Sequence, residues 1–322
     1  MKLLVTGGLG FIGSNFIEYW LANHDDEIVY LDLQTYASNN IALNSVKEDS
    51  RYSFVKGDIA DERLVSSLVR DADCVVNFAA ETHVDNSIAN SRAFIHSNIV
   101  GVHSLLEAIR KHGKRLHHIS TDEVFGSLPV DSRLKFNENT RYDPRNPYSA
   151  TKASSDHLIR AYHNTYGIPV TISNCSNNFG NYQHPEKFIP KSILLLLSGK
   201  KVPIYGEGNQ VRDWIYVLDH CSAIDAILQK GKIGETYLIS SDNELKNVEV
   251  LLIIADKLGI PAGDIVDHVP DRPGHDVHYA IDSSKITREL GWRSKFAFSK
   301  ALDLTIDHYA SNKDYYYGLM GM

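Results

Sequence analysis

The chain has 322 residues, of which 43% are hydrophobic and 23% charged, the composition of a globular protein long enough for two domains or one large α/β unit. Its net charge of −7 argues against nucleic acid or an anionic membrane as the main partner. Three widely spaced cysteines suggest no disulfide framework, and there is neither a signal peptide nor a membrane-length apolar run, so we expect a cytoplasmic protein.

Short apolar segments alternate with stretches of helical spacing through the first half of the chain. The predicted strands are Leu3–Thr6, Ile28–Leu31, Ser53–Val55, Cys74–Phe78, Leu116–Ser120 and Val170–Asn174. Strands that alternate with helices form parallel βαβ units. The predicted fold class is therefore α/β, a doubly wound parallel sheet (Rossmann-like) with a second, smaller α/β substrate lobe.

The pattern loosens after about residue 181, where six of the ten prolines lie. Glu235–Ser240 still has the character of a strand and is predicted to return to the first sheet. We expect a first domain over residues 1–180 that also receives residues 216–245. The smaller lobe is predicted to consist of residues 181–215 and 246–322.

A glycine-rich turn follows the first predicted strand. Gly7, Gly10 and Gly13 have the spacing GxxGxxG and lead into a helix, whose free amides and dipole suit a pyrophosphate. Asp32 ends the second strand 19 residues after Gly13, where an acidic residue binds the adenosine ribose. The alternatives are a simple tight turn and an ordinary strand-end aspartate. The combination predicts NAD, because a carboxylate repels the 2′-phosphate of NADP.

The third and fourth strands end in residues that suit the same ligand. Asp58 and Ile59 follow the third strand, and Phe78, Ala79 and Ala80 close the fourth. Ligands of open α/β sheets bind at the carboxyl ends of the strands. We therefore expect these residues beside the dinucleotide.

Two adjacent carboxylates follow the fifth strand, in Thr121-Asp122-Glu123. One interpretation is a solvated turn, and the other is a site in which two carboxyl groups carry out different proton transfers. Tyr148 and Lys152 are four residues apart in a predicted helix, so they share one face. The ammonium is expected to lower the phenol pKa, making Tyr148 a base for an alcohol.

These motifs resemble the extended short-chain dehydrogenase/reductase superfamily and, within it, the dTDP-glucose 4,6-dehydratase family. The segments that carry the resemblance are TGGLGFIG, AAETHVDNSI, STDEVFG, NPYSATKASSD, NCSNNFGNYQHPEKFIP, VPIYGEGNQVRDWIYVLDH and DRPGHDVHYA. The resemblance implies an NAD-dependent lyase that converts dTDP-glucose to dTDP-4-keto-6-deoxyglucose and water. Transient oxidation at C4, loss of water across C5–C6 and hydride return to C6 make up the implied reaction.

The resemblance also implies the catalytic roles. Tyr148, with Lys152, removes the 4-OH proton, and Thr121 binds the 4-oxygen. Glu123 takes the C5 proton, while Asp122 protonates the departing 6-OH. The two carboxyl groups must therefore hold opposite protonation states, which the solvated-turn interpretation does not require.

Further contacts follow from the resemblance, position by position. The implied cofactor residues are Gly7, Gly10, Phe11, Ile12, Gly13, Asp32, Thr35, Asp58, Ile59, Phe78, Ala79, Ala80, Thr82, Ser97, Tyr148, Lys152 and Asn178. The implied substrate residues are Thr82, Thr121, Asp122, Glu123, Asn177, Lys187, Pro203, Tyr205, Arg212, Asn247, Arg272 and His275. Lys187 and Arg212 supply cations for a diphosphate, and Asn247 alone would be interpreted as a helix N-cap. No metal site is predicted.

A few positions depart from the family pattern, namely Asn86, Val102, Asn181 and His278. Asn181 and His278 flank the predicted nucleotide-sugar site, so they bear on substrate affinity and base preference. Competing interpretations are another NAD-dependent nucleotide-sugar enzyme, either a 4-epimerase or a decarboxylase, and a non-catalytic NAD-binding regulator. Neither has a use for the Asp122-Glu123 pair.

A homodimer is also predicted. In the superfamily, the helix corresponding to Phe94–Ile109 and the helix of Tyr148 pack against their copies in a second subunit. Ile95, Ile99 and Val102 are expected to form an outward apolar stripe opposite Val100 and Leu106. The alternative is that the second lobe covers these positions within one chain.

Overall fold

The computed structural model describes residues 1–39, 41–129, 132–271 and 273–322. Within these ranges the strands are β1 Lys2–Thr6, β2 Glu27–Asp32, β3 Tyr52–Lys56, β4 Cys74–Asn77, β5 Arg115–Thr121, β6 Val170–Cys175, β7 Asn177–Phe179, β8 Val202–Tyr205, β9 Val211–Tyr216, β10 Thr236–Ile239, β11 Glu244–Lys246 and β12 Val266–Val269.

The α-helices of the same ranges alternate with these strands in the first half and cluster towards the carboxyl end. They are α1 Phe11–Asn23, α2 Glu62–Asp71, α3 Val84–Ala89, α4 Arg92–Ile95, α5 Val102–His112, α6 Pro147–Tyr166, α7 Phe188–Leu197, α8 Val217–Lys230, α9 Asn247–Lys257, α10 Ser284–Leu290, α11 Phe298–Ser311 and α12 Lys313–Met320.

The main sheet has seven parallel strands in the order β10-β6-β5-β4-β1-β2-β3. Each predicted strand is present within one or two residues of its predicted bounds, including the returning strand β10 beside β6. Consecutive residues of β1 enter different cores, since Leu3 packs with α1 and Leu4 packs with α2 and α5. Helices therefore cover both faces, and the predicted α/β, doubly wound fold is confirmed.

The strand order changes direction between β1 and β4. The chain runs outward through β2 and β3, then returns to place β4 on the other side of β1. Because all strands of this sheet are parallel, the segments after β1, β2, β4 and β5 emerge at the same edge. Ligands of such sheets bind at this switch point.

Two short sheets lie outside the main sheet, β11-β9-β7 and the parallel pair β12-β8. Helices α7, α9 and α11 share a single hydrophobic cluster with α1 of the main sheet, for example through Ile193, Val250 and Leu302 beside Phe16. A continuous hydrophobic core therefore joins these helices to α1, which covers one face of the main sheet. The division of the chain at residues 180, 216 and 245 stays a prediction.

The segment from residue 92 to residue 112 is interrupted by a π-helical turn, His96–Gly101, between α4 and α5. Because of this turn, two residues of the predicted apolar stripe lie on the opposite side of the helix from the side that was predicted. Val102 is buried at 1% exposure, whereas Val100 is 44% exposed beside Ile95 at 46%. The predicted stripe was wrong at these two positions, because an extra residue in the turn rotates the following side chains.

No helix in the described ranges combines the length and apolar character that crossing a bilayer requires.

Candidate active site

Three neighbouring cavities lie at the carboxyl edge of the main sheet. The side cavity lies beside β2 and β3, the central cavity lies between α1, β5 and α6, and the lobe cavity lies under β8 and β9. The central cavity shares Gly7 and Phe78 with the side cavity and Glu123 and Lys187 with the lobe cavity. The three cavities form one continuous cleft.

The structure brings the predicted site residues together in this cleft. The side cavity is lined by Gly7, Gly10, Asp32, Thr35, Asp58, Ile59, Phe78, Ala79, Ala80 and Ser97. The central cavity is lined by Gly7, Gly10, Phe11, Ile12, Gly13, Phe78, Ala80, Thr82, Thr121, Asp122, Glu123, Tyr148, Lys152, Asn177, Asn178 and Lys187. Pro203, Tyr205, Arg212, Asn247 and His275 line the lobe cavity. The predicted contact Arg272 lies outside the described residues.

The turn between β1 and α1 requires glycine at two positions. Gly7 has φ +72°, and a Cβ there would lie 2.7 Å from the backbone nitrogen of Ala79. A Cβ on Gly13 would overlap the carbonyl oxygen of Gly7. The backbone therefore approaches the cleft without side chains, and no side chain caps α1, whose N-cap is Gly10. The Gly7–Gly13 turn can therefore bind a dinucleotide pyrophosphate through its backbone amides.

Asp32 ends β2 with its carboxylate in the side cavity. Its Oδ1 accepts hydrogen bonds from the Gln34 amide at 2.7 Å and the Ser38 hydroxyl at 3.1 Å, and its Oδ2 accepts one from the Leu9 amide at 2.9 Å. A carboxylate has about four acceptor sites, so one acceptor site is left for a ribose hydroxyl. Asp32 therefore both braces the glycine turn and fits the ribose role.

The two carboxylates after β5 occupy different environments. A short 3₁₀ helix, Asp122–Phe125, turns Asp122 inward to 2% exposure and leaves Glu123 half-buried. The Thr121 hydroxyl donates to Asp122 Oδ1 at 3.3 Å, whereas Asp122 Oδ2 has no hydrogen-bond partner among the described residues. Burial, and next the charge of Glu123, raise the pKa of Asp122 well above its usual value. Asp122 is thus suited to hold a proton.

Tyr148 and Lys152 lie one turn apart in α6, which begins with a capping box between Asn146 and Ser149. Both side chains are buried. Lys152 Nζ donates to the Ile119 carbonyl at 2.7 Å and lies 3.3 Å from His118 Nε2. Burial lowers the pKa of Lys152 to about 8.

The predicted lowering of the Tyr148 pKa is wrong for the protein alone. Burial, and next the charge of Glu123, raise the pKa of this phenol well above its usual value. The ammonium of Lys152 is already bound to a backbone carbonyl of β5. A bound cation in the cleft would counter this effect, because a nearby positive charge favours phenolate.

Two residues that the sequence did not indicate hold Tyr148 in place. The Tyr148 amide donates to the Ser87 hydroxyl at 3.2 Å, and the ring of Phe94 packs edge-on at 6.4 Å. Both come from α3 and α4, more than fifty residues earlier. Local spacing carries no signal for such contacts.

The lobe cavity contains cationic and amide groups. Arg212 donates to the carbonyls of Val211 and Asp276, each at 2.8 Å, and lies 4.3 Å from the centre of the Tyr279 ring. Lys187 donates to the Thr82 carbonyl at 3.0 Å.

Two amide oxygens at this cavity are buried without a hydrogen-bond partner among the described residues, Asn177 Oδ1 and Asn247 Oδ1. Asn247 begins α9 with Lys246 in the N-cap position, so the alternative N-cap interpretation of Asn247 is wrong. Unsatisfied amides in a cavity fit a polar ligand.

Glu186 lines both the central and the lobe cavity but was not among the predicted residues. It lies 3.8 Å from His83 Nε2 and 3.7 Å from His184 Nδ1. Its position next to Lys187 in the segment HPEKFIP was an available signal. Gln183 and Cys175 also line the central cavity.

Comparison with known proteins extends over almost the whole chain. A family described as GDP-mannose 4,6 dehydratase matches residues 4–305. The dTDP-glucose 4,6-dehydratase of Mycobacterium tuberculosis is 51% identical over 318 residues, which cover 98% of this chain and 95% of the relative.

Two solved structures have the same overall architecture. DesIV, a dTDP-glucose 4,6-dehydratase from Streptomyces venezuelae solved with NAD and TYD bound, has a TM-score of 0.96 and 44% identity, and the match covers 99% of this chain and all of that one. The UDP-glucuronic acid 4-epimerase of Bacillus cereus has a TM-score of 0.90 but only 27% identity, over 97% of this chain and 99% of that one. The chain is thus similar to both types of enzyme and shares more sequence with the dehydratases.

Proposed function

This chain belongs to the dTDP-glucose 4,6-dehydratase family, and we propose that it converts dTDP-glucose to dTDP-4-keto-6-deoxyglucose and water. One observation carries the proposal. A buried Asp122 and a half-buried Glu123 line the same cavity as Tyr148 and Lys152. A 4-epimerase or an NAD-binding regulator has no use for two carboxyl groups in different protonation states.

NAD is the cofactor, with its pyrophosphate at the Gly7–Gly13 turn and its adenosine ribose at Asp32. When bound, NAD would supply the hydride chemistry at C4 and C6 of the sugar. Lys152 supports this chemistry from α6, where its charge favours the phenolate of Tyr148.

The remaining steps belong to side chains of this protein. Tyr148 removes the proton of the 4-OH, and Thr121 donates a hydrogen bond to the resulting 4-oxygen. The new ketone acidifies C5, whose proton Glu123 accepts, and C5 is protonated again when hydride returns to C6. Asp122 gives its proton to the 6-OH, which leaves as water. The raised pKa of Asp122 supports the last role, because the acid must keep its proton near neutral pH.

The nucleotide end is assigned to the lobe cavity. Arg212 and Lys187 would balance the diphosphate charge, and the amides of Asn177 and Asn247 would bind polar groups of the ligand. The unpartnered oxygens of these two amides support this assignment.

The test is an incubation with dTDP-glucose and catalytic amounts of NAD, with mass analysis of the product. We expect a product lighter by one water and no net NADH. Substrate deuterated at C4 should carry the label to C6 of the same molecule. A product of unchanged mass would indicate an epimerase, and no turnover would favour a regulator. Parallel assays with UDP-glucose and CDP-glucose would define the base preference.

We also propose that the protein is a homodimer. The large apolar side chains Ile88, Ile95 and Val100 are 42%, 46% and 44% exposed on neighbouring turns of α3, α4 and the π-helical turn. A second copy would cover this patch.

Light scattering tests the dimer. A mass twice the 36.1 kDa of one chain supports it, and a mass near 36.1 kDa contradicts it. Ile95→Glu should shift the protein towards monomer, whereas the matched control Leu304→Glu, at a 40% exposed position of α11, should not.

A further inference from the structure

A set of buried polar side chains lies behind Lys152, on the side away from the cleft. We call His118, Asp156 and Tyr142 the rear network. Asp156 lies one turn after Lys152 on the same face of α6, and the side chains of Asp156 and His118 are completely buried. Neither residue lines the central cavity, and the reaction steps above do not use them.

Hydrogen bonds concentrate on one oxygen of Asp156. Its Oδ2 accepts from the Ser120 hydroxyl at 2.8 Å, the Tyr142 hydroxyl at 2.8 Å and the Asn174 amide at 3.3 Å. Three donors on one oxygen stabilise an ionised carboxylate. The other oxygen, Oδ1, has no hydrogen-bond partner among the described residues and lies 3.6 Å from His118 Nε2. The carboxylate charge thus faces His118.

The protonation of His118 follows from its neighbours. The side-chain amide of Asn77 lies 2.9 Å from His118 Nδ1, and the Thr6 hydroxyl lies 2.6 Å from the oxygen of the same amide. Burial and then the charge of Lys152 hold the pKa of His118 well below its usual value, so the ring is neutral. Its Nε2 lies between Lys152 Nζ, at 3.3 Å, and Asp156 Oδ1, at 3.6 Å.

From this geometry we propose that Asp156 is a positioning residue that keeps Lys152 in its ammonium form across the interposed His118 ring, and thereby sets the upper pH limit of the reaction. The inference rests on the proposed function, in which the charge of Lys152 supports proton removal by Tyr148. Asp156 does not touch substrate or cofactor in this role.

Burial and the charge of Asp156 have opposite effects on the pKa of Lys152. Burial lowers the pKa of Lys152, and the charge of Asp156 is the first effect that raises it. The titratable groups that face Lys152 and His118 are Tyr148, Asp156 and Arg160 from α6, His117 and His118 from β5, and Cys175 from β6.

Burial raises the pKa of the Cys175 thiol to about 12, so this thiol carries no charge near neutral pH. Removing the Asp156 charge therefore lowers the pKa of Lys152 further. Lys152 then loses its ammonium charge at a lower pH than in the wild type.

The experiment compares kcat/KM against pH for the NAD-bound wild type and Asp156→Asn. We expect the alkaline limb of the profile to move down by about 1 pH unit, the smallest effect usual for a nearby opposite charge. The matched control is Asp219→Asn, at a buried aspartate that accepts the amides of Lys295 and Phe296 at 2.8 and 3.1 Å. A merely destabilised protein would lose activity without this shift. An unchanged limb in Asp156→Asn would overturn the proposal.

A second measurement does not depend on turnover. The rate at which acetic anhydride acetylates Lys152, followed against pH by peptide mass spectrometry, reports its titration directly. We expect Lys152 of the full-length wild type to titrate near pH 8, and titration below neutral pH would overturn the inference. If the wild type dehydrates no substrate, the proposed function fails, and a comparison of the Lys152 titration in the wild type and in Asp156→Asn still decides the role of Asp156: a lower titration in the variant supports it, and an equal one contradicts it.

Discussion

The side cavity and the central cavity each contain a buried aspartate at a strand end of the same sheet edge. Asp32, after β2, accepts three hydrogen bonds from the surrounding backbone and Ser38. Asp122, after β5, has one oxygen without a partner among the described residues, and burial raises its pKa. The first environment stabilises a charge and suits static binding. The second penalises a charge and suits the transfer of a proton.

The largest expected effect comes from removing the proton donor in the central cavity. Asp122→Asn preserves shape but cannot protonate the departing 6-OH, so kcat should fall about 10²- to 10⁴-fold, as expected for loss of a general acid. Product formation from dTDP-glucose measures this loss. The affinity for NAD should change little, because Asp122 is not among the residues predicted to bind the cofactor. A variant with near-normal turnover would show that the two aspartates do not differ in function.

A smaller effect is expected in the side cavity. Asp32→Asn removes the charge that binds a ribose hydroxyl, so NAD should bind about 10- to 100-fold more weakly, the range for a hydrogen bond to a charged group. Turnover at saturating NAD should stay close to that of the wild type. Discrimination against NADP should narrow, because the repulsion of a 2′-phosphate is lost. Equilibrium titrations with both nucleotides measure these changes, and equal NAD affinity in variant and wild type would contradict the assigned role.

The positions of both aspartates at one edge of the sheet could be predicted from the sequence. The Gly7–Gly13 turn, Asp32 and the Thr121-Asp122-Glu123 triplet each follow a predicted strand, and parallel strands bring their carboxyl ends to one edge. Hydrophobic periodicity and turn residues are local properties, so they predicted the sheet and these strand-end residues, whereas the residues of the lobe cavity were implied only by the family resemblance. The same spacing placed Tyr148 and Lys152 on one face of α6, where the structure has them.

The pKa directions and the contacts between distant residues could not be predicted from the sequence, because they depend on burial in the folded protein. The direction of the Tyr148 pKa was wrong because desolvation and the charge of Glu123 act through the fold, not through the four-residue spacing to Lys152. The contact of Lys152 with His118 joins residues 34 positions apart, and the amide of Tyr148 is held by Ser87, 61 positions away. The π-helical turn rotated Val102 inward although its spacing matched an outward stripe.

The smallest effect concerns stability, and it reverses sign between the two aspartates. Asp32→Asn should destabilise the protein, because asparagine has one acceptor oxygen, whereas both oxygens of Asp32 accept hydrogen bonds. Asp122→Asn should stabilise it near neutral pH, because a neutral amide avoids the cost of keeping a buried carboxyl group protonated or charged. The two variants therefore form a matched pair at one edge of the sheet.

The pH dependence of this stabilisation follows from the raised pKa of Asp122 in the folded state. Below the unfolded pKa of about 3.9 both states are protonated, and Asp122 costs nothing. As the pH rises above that value the unfolded chain releases its proton while the folded protein keeps it, so the wild type loses stability until the folded pKa is reached. The advantage of Asp122→Asn should thus be absent in acid and should grow as the pH rises towards the raised pKa of Asp122 in the folded protein. Urea unfolding of NAD-free wild type and variant at several pH values measures it, with ligand stabilisation removed. An advantage that is constant with pH would mean that packing, and not the protonation of Asp122, distinguishes the central cavity from the side cavity.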